Sequence, residues 1–280
     1  MEKRMIPVFV INLEEEQKKR KRTEEMLKRL GIQYAIVEAI DGRKLNENEL
    51  EQVYSPQRAV EVFRRELSRG EVGCALSHLS IYRRMVEEGL EKAVILEDDA
   101  VVCDDFPTIL KYLDEVSPQC ECLLLGYDAD IVREIFLYTS FWGSRKFFGK
   151  YRLKRFVKVA FGTYGYMITL QGARKLLAQI ETIDKPIDHY TGGLELLDLY
   201  GLSPRCVMVP RQEIENSSIV KERNELKKVL YTQRYDHWIT RWLNRVRLGI
   251  RLYVLKTLPL PIARRYASEI FRNRRKDERH

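Results

Sequence analysis

Three consecutive acidic residues, Glu97-Asp98-Asp99, directly follow the apolar run Ala93-Val94-Ile95-Leu96. The apolar run reads as a buried strand. A buried strand that ends in carboxylates brings negative charge to the edge of a sheet, where α/β folds place their ligands. Carboxylates packed this closely repel one another unless a cation lies between them. Hard divalent ions such as Mg²⁺ or Mn²⁺ prefer oxygen ligands and bring phosphates with them. The tripeptide alone fits a solvated acidic turn equally well, so its surroundings decide.

The elements that must position it follow from hydrophobic patterning. Val8 to Leu13 reads as a first strand, and Glu14 to Leu30 as a charged helix closed by Gly31. Tyr34 to Val37 is a second strand, and Asp41-Gly42 signals a turn. Residues 43–68 are expected to be helical with a break at Pro56, and a helix from Cys74 to Glu88 should end at Gly89. Further strands are expected at Cys122–Gly126 and Tyr166–Thr169, then a helix through Ile180. This strand–helix alternation predicts an α/β fold with a mainly parallel central sheet.

Composition narrows the functional classes. The chain has 280 residues, 45% hydrophobic and 32% charged, as expected for a globular protein with one large or two small domains. Five cysteines include no Cys-x-x-Cys pair, which argues against a zinc or disulfide framework and for a reducing compartment. Cys120 and Cys122, if both on a strand, would share one face. No signal-peptide or membrane-spanning run is visible near the start, so a cytoplasmic location is expected.

The net charge of +8 is uneven, with 13 Lys/Arg against 4 Asp/Glu in residues 231–280. The predicted organisation is a domain over 1–230 and a basic extension over 231–280. In that extension Trp238, Ile239, Trp242, Val246 and Ile250 recur at helical spacing among arginines. Such a basic amphipathic helix favours an anionic membrane surface over nucleic acid, or else docks on the domain with a solvated basic face. Residues 127–166 hold 12 Phe/Tyr/Trp and 8 Lys/Arg, which fits either a hairpin or helical insertion packed on the sheet or a platform for an acceptor sugar.

Taken in order, several segments resemble glycosyltransferase family 25, which includes bacterial lipopolysaccharide and lipooligosaccharide sugar transferases and collagen galactosyltransferases. They are Val10-Ile11-Asn12-Leu13 with Lys19-Arg20, Ala39-Ile40-Asp41-Gly42, and Gly70 through His78. Ile95 to Asp99, Gly162 to Tyr166 with Gly172-Ala173, Pro186-Ile187-Asp188 and Ser217-Ser218-Ile219 follow. The resemblance implies a GT-A-like nucleotide-binding sandwich using a UDP-sugar donor and a divalent metal, Mn²⁺ or Mg²⁺. Glu97-Asp98-Asp99 looks like its metal motif, with Asp99 as metal ligand. Glu97 is either a second ligand or, like Asp98, a contact to the ribose or a metal-bound water.

Asn12, Lys19 and Arg20 stand where a first strand gives way to a helix, close to nucleotide, although charged residues there are commonly a solvated face. Gly70 and Gly73 permit close backbone approach, and the helix beyond them offers N–H groups to an anion, with Ser77 and His78 in its first turns. Gly162 and Thr163 bring backbone near the sugar. The inverting transfer implied for the bacterial branch needs one base. Asp188 is the first candidate, with His189 and Glu213 as alternates and a helix N-cap as its structural explanation.

The expected activity is transfer of a hexose, galactose first, to a lipid-linked oligosaccharide at the inner face of the cytoplasmic membrane. A non-catalytic membrane- or nucleic-acid-binding protein is the rival. A phosphoryl or nucleotidyl transferase is disfavoured because no Gly-x-x-x-x-Gly-Lys loop is present.

Overall fold

A computed structural model describes residues 5–117, 119–127, 144–156 and 160–210, together with Glu213, Ile219 and Glu222. The basic extension over 231–280 and the serines at 217 and 218 lie outside the described residues. No helix among the described residues is long and apolar enough to cross a membrane.

The central sheet has eight strands among the described residues: β1 (Val8–Asn12), β2 (Ala35–Glu38), β3 (Lys92–Glu97), β5 (Cys122–Leu124), β6 (Ser144–Lys146), β7 (Arg152–Arg155), β8 (Gly165–Thr169) and β9 (Leu199–Ser203). Their order is β2-β1-β3-β8-β5-β9-β7-β6, and β4 (Val101–Val102) pairs separately with β10 (Val207–Met208). Strands β1, β2 and β3 are parallel, as are β5 and β9. β8 runs against both β3 and β5, and β7 runs against β9 and β6. The expected α/β class and prevailing strand direction are therefore present, with β8 and β7 inverted.

Both faces of the sheet are covered, and strand alternation feeds two cores. Phe9, Ile11, Ala93, Ile95, Tyr166 and Ile168 enter one core, while Val8, Val10, Val94, Leu96 and Met167 enter the other. The first core meets α4 (Arg69–Glu88) and α6 (Leu170–Gln179); the second meets α1 (Gln17–Arg29) and α5 (Phe106–Leu113). Cys120 and Cys122 would share a face only if both lay on a strand; they lie in opposite cores. β5 starts only at Cys122, so the strand alternation does not extend back to Cys120.

Pro56 breaks the 43–68 stretch as expected, separating α2 (Glu47–Val53) from α3 (Pro56–Phe63) and standing in the first turn of the latter. α4 differs from expectation. It starts at Arg69, capped by a Ser68–Glu71 box, so Gly70 and Gly73 lie inside the helix rather than before it. The capping box was the signal for this start. Gly73 instead lets α4 approach the loop after β2: a Cβ there would stand 2.4 Å from both the Gly42 nitrogen and the Ile40 carbonyl oxygen.

The backbone clash at Gly73→Ala should therefore cost about 1–3 kcal/mol, the usual range for overpacking. Alanine's gain of roughly 1 kcal/mol over glycine in a helix offsets part of it, leaving a net destabilisation of up to about 2 kcal/mol. The urea midpoint is the readout, and a raised midpoint would mean that α4 shifts freely.

Within the aromatic segment, residues 144–155 form a hairpin, β6 pairing antiparallel with β7. Phe148 stacks on Tyr112 of α5 at 4.8 Å, and Phe147 meets the same ring edge-on at 6.0 Å. These rings pack on the fold, as the hairpin reading predicts. Residues 128–143 lie outside the described residues.

Candidate active site

Strands β1 and β3 end side by side, with Ile11 paired to Glu97, so Asn12 and the acidic triplet emerge at one edge. The inverted β8 begins at that edge, its Gly165 paired with Leu96. The loop before β8 therefore abuts the triplet. The Glu97 amide donates to the Tyr164 carbonyl at 3.0 Å, and the Thr163 hydroxyl donates to Glu97 Oε1 at 3.3 Å. Gly162 holds φ at +96°, which glycine adopts readily, and so turns the chain into Thr163.

The three acids are held differently. Asn12, itself buried, donates from Nδ2 to Asp98 Oδ2 at 2.7 Å, and Thr23 of α1 donates to the Asp98 carbonyl at 2.8 Å. Burial nevertheless pushes the Asp98 carboxyl up to about 6, against the pull of Lys19 and Asn12. Asp99 goes further, to about 7, through burial and then repulsion from Glu97 and Asp98. Its Oδ1 is buried without a hydrogen-bond partner. A buried orphan carboxylate oxygen, repelled by two neighbouring acids, is the donor type that a hard divalent cation takes.

A cleft opens beside this edge, lined by Lys19 of α1, Asp41, Gly42 and Arg43 after β2, Gly70, Cys74, Ser77 and His78 of α4, and the three acids. Lys19 therefore faces the cleft. Arg20 does not line it; its guanidinium pairs with Glu24 at 3.1 Å along the outer face of α1. Such a pair contributes only about 0.3–0.5 kcal/mol. Gly73 packs on Gly42, and the Ser77 hydroxyl accepts from the Ile40 amide at 2.8 Å while donating to the Gly73 carbonyl at 2.7 Å. Both knit α4 to the β2 loop. The Gly70 amide, expected to meet an anion, donates to the Glu222 carboxylate at 3.2 Å.

His78 is fully buried in the third turn of α4, not its first, with Nδ1 bonded to the Tyr166 hydroxyl at 2.7 Å. Asp188 lies in the first turn of the short helix α7 (Ile187–Thr191), whose cap position is Pro186. The N-cap explanation for Asp188 is therefore incorrect. Helix α7 packs on α4, and the charges of Glu97, Asp188 and Asp99 all bear on the Cys74 thiol, which burial pushes well above its ordinary range.

His189 sits between Phe63 and Phe161, ring centroids 4.6 and 4.8 Å away, and burial lowers it to about 4. Glu213 is bound to Arg22 of α1 at 2.6 Å and lies within electrostatic reach of Asp99. Cys74 and Arg43 both line the cleft, and neither was expected to have a role in the site. For Cys74, the Cys-x-x-x-His spacing, one helical turn from His78, was the available signal.

The sign of the pH effect follows from these shifts. Asp99 titrates near 3.8 unfolded and about 7 folded, so its contribution to stability is full below about 4 and is lost as pH rises through about 7. Without metal, wild type should lose stability relative to Asp99→Asn between those limits. If Asp99 ligates Mn²⁺, which requires the deprotonated carboxylate, the ion should raise the unfolding temperature of wild type far more at pH 8 than at pH 5. Calorimetric scans at both pH values, with and without Mn²⁺, check this. An equal Mn²⁺ effect at both would disconnect Asp99 from the ion.

An α/β sandwich with a carboxylate-edged cleft at the ends of its parallel strands is a ligand-binding scaffold suited to anionic, metal-bridged groups. The chain belongs to glycosyltransferase family 25, whose model, described as "Glycosyltransferase family 25 (LPS biosynthesis protein)", matches residues 5–191. It is 29% identical over 177 residues to procollagen galactosyltransferase 2 of Homo sapiens, covering 61% of this chain and 27% of that protein. It is 32% identical over 192 residues to the probable inactive glycosyltransferase 25 family member 3 of Rattus norvegicus, covering 61% and 29%. The chain thus spans under a third of the length of these relatives. A crystal structure of a glycosyltransferase involved in the glycosylation of the major capsid of PBCV-1 aligns over 80% of this chain and all of its own, at 11% identity and a TM-score of 0.39.

Proposed function

We propose that this protein transfers a hexose, galactose first, from a UDP-sugar to a lipopolysaccharide or lipooligosaccharide acceptor, with inversion. The observation that carries the reading is Asp99, a buried carboxylate with an orphan oxygen at the head of the cleft. Asp99 and Glu97 would hold Mn²⁺ or Mg²⁺. When bound, the ion supplies positive charge against the departing nucleoside diphosphate. Asn12 and Thr23 keep the triplet in place through Asp98. Lys19 offers the cleft a cation, and Thr163 orients Glu97. Asp188 takes the acceptor hydroxyl proton onto its carboxylate as that oxygen attacks.

The family's description supports the lipopolysaccharide acceptor, and the basic 231–280 segment supports a peripheral position at the inner face of the cytoplasmic membrane. Incubating the protein with Mn²⁺, a panel of nucleotide sugars, and either a lipid-linked oligosaccharide or a collagen-derived peptide tests donor and acceptor together. UDP-galactose with the oligosaccharide should be the productive pair. No nucleotide-sugar binding in any combination would favour the non-catalytic reading, to which the probably inactive rat relative lends weight. Removing residues 231–280 should release the protein from anionic vesicles while sparing transfer to a short soluble acceptor. Undiminished vesicle binding would refute the anchor.

A further inference from the structure

We propose that Cys74, His78 and Glu97 form a binding site for a thiophilic divalent ion, Zn²⁺ foremost, distinct in chemistry from the oxygen site at Asp99. Cys74 and His78 stand one turn apart on α4, and Glu97 ends β3 opposite them. Their ligand atoms all lie within 4.8 Å of one another, and His78 Nε2 is 3.6 Å from Glu97 Oε1. Tetrahedral zinc, with Zn–S near 2.3 Å and Zn–N near 2.0 Å, separates its donors by about 3.5 Å. The His–Glu edge is already at that spacing, and the rest closes by roughly 1 Å of side-chain rotation.

A second observation points to a ligand independently. His78 Nε2 is fully buried and has no hydrogen-bond partner, and it faces Glu97. A buried ring nitrogen left unsatisfied costs about 1–3 kcal/mol. The other ring nitrogen is already oriented: Nδ1 meets the Tyr166 hydroxyl at 2.7 Å, and that hydroxyl meets Tyr82 at 2.6 Å. An Nδ1–H donating to Tyr166 leaves Nε2 as a lone-pair donor, the arrangement that supports a metal-bound histidine.

Thiolate and imidazole select zinc over Mg²⁺ or Mn²⁺, and three protein ligands beside a cleft leave a fourth position open. Binding replaces the thiol proton of Cys74 by the metal–sulfur bond and releases that proton to solvent. Since Glu97 also belongs to the oxygen site, zinc and Mn²⁺ compete for it. This competition rests on the transferase reading; the site itself does not.

The test uses the full-length, chelator-stripped protein titrated with Co²⁺ as the spectroscopic probe. One Co²⁺ per chain should bring up a thiolate-to-cobalt charge-transfer band that Zn²⁺ abolishes by displacement. Cys74→Ser, a one-atom change in a half-buried residue, should lose the band, and Cys103→Ser should keep it. His78→Gln should weaken Co²⁺ binding by about tenfold or more. Absence of the band in wild type, or its persistence in Cys74→Ser, overturns the site. If the protein is a Mn²⁺-dependent transferase, Cys74→Ser should need at least about tenfold more Zn²⁺ for half-inhibition than wild type. A cobalt band in a protein with no transferase activity would uphold the metal site and defeat only the functional reading.

Discussion

If Asp99 ligates the ion of the proposed transferase, Asp99→Ala should lower sugar transfer by about three orders of magnitude or more, because that ion would contribute several kcal/mol against developing charge and each 1.4 kcal/mol is a factor of ten. The fold should survive. Asp99 sits in the turn after β3, and its carboxylate is destabilised there by burial and by Glu97 and Asp98. The metal-free variant should consequently unfold at a higher temperature than metal-free wild type at pH 8, while losing the stabilisation that Mn²⁺ gives. Loss of activity without a change in Mn²⁺ affinity would assign Asp99 to the donor sugar. Near-normal transfer with Mn²⁺ present would sink the metal assignment.

Asp188→Asn should keep UDP-sugar binding and lose turnover by about two to four orders of magnitude, the range spanned by a general base. The amide conserves the size of the side chain and so preserves the first turn of α7. His189 is the adjacent alternative, but its ring is held neutral with a pKa of about 4, which makes it a weak proton acceptor. Donor binding measured by calorimetry, set beside single-turnover transfer, separates the cases. Equal losses in both would place Asp188 in the donor site or the scaffold, and no loss in either would put the base elsewhere.

Much of the fold was legible because its strongest signals are local. The run Ala93–Leu96 is wholly buried as β3, Gly31 and Gly89 take positive φ just after their helices, and Pro56 opens α3. The start of α4 was misplaced because two glycines suggested a loop, while the Ser68–Glu71 capping box, a short-range pattern, outweighed their low helix propensity. The expected roles of Gly73 and Ser77 were obscured for a related reason. Both serve the contact between α4 and the β2 loop, a pairing of segments distant in sequence whose closeness no local pattern records.

By itself the sequence determined the α/β class, the strand that delivers Glu97, Asp98 and Asp99, and, through ordered motifs, the family. Those features depend on periodicity and composition within single segments. Tertiary structure alone decided which acid is anchored and which is exposed to repulsion. Asn12 and Thr23 bind Asp98 from β1 and α1, while Asp99 keeps an orphan oxygen. It also decided that β8 runs against β3, which sets Thr163 on Glu97. Strand direction depends on where the connecting chain crosses the sheet, and a carboxylate's protonation depends on its burial and on neighbours from other segments. Both are properties of the packed assembly, and neither is encoded in a residue's own surroundings along the chain.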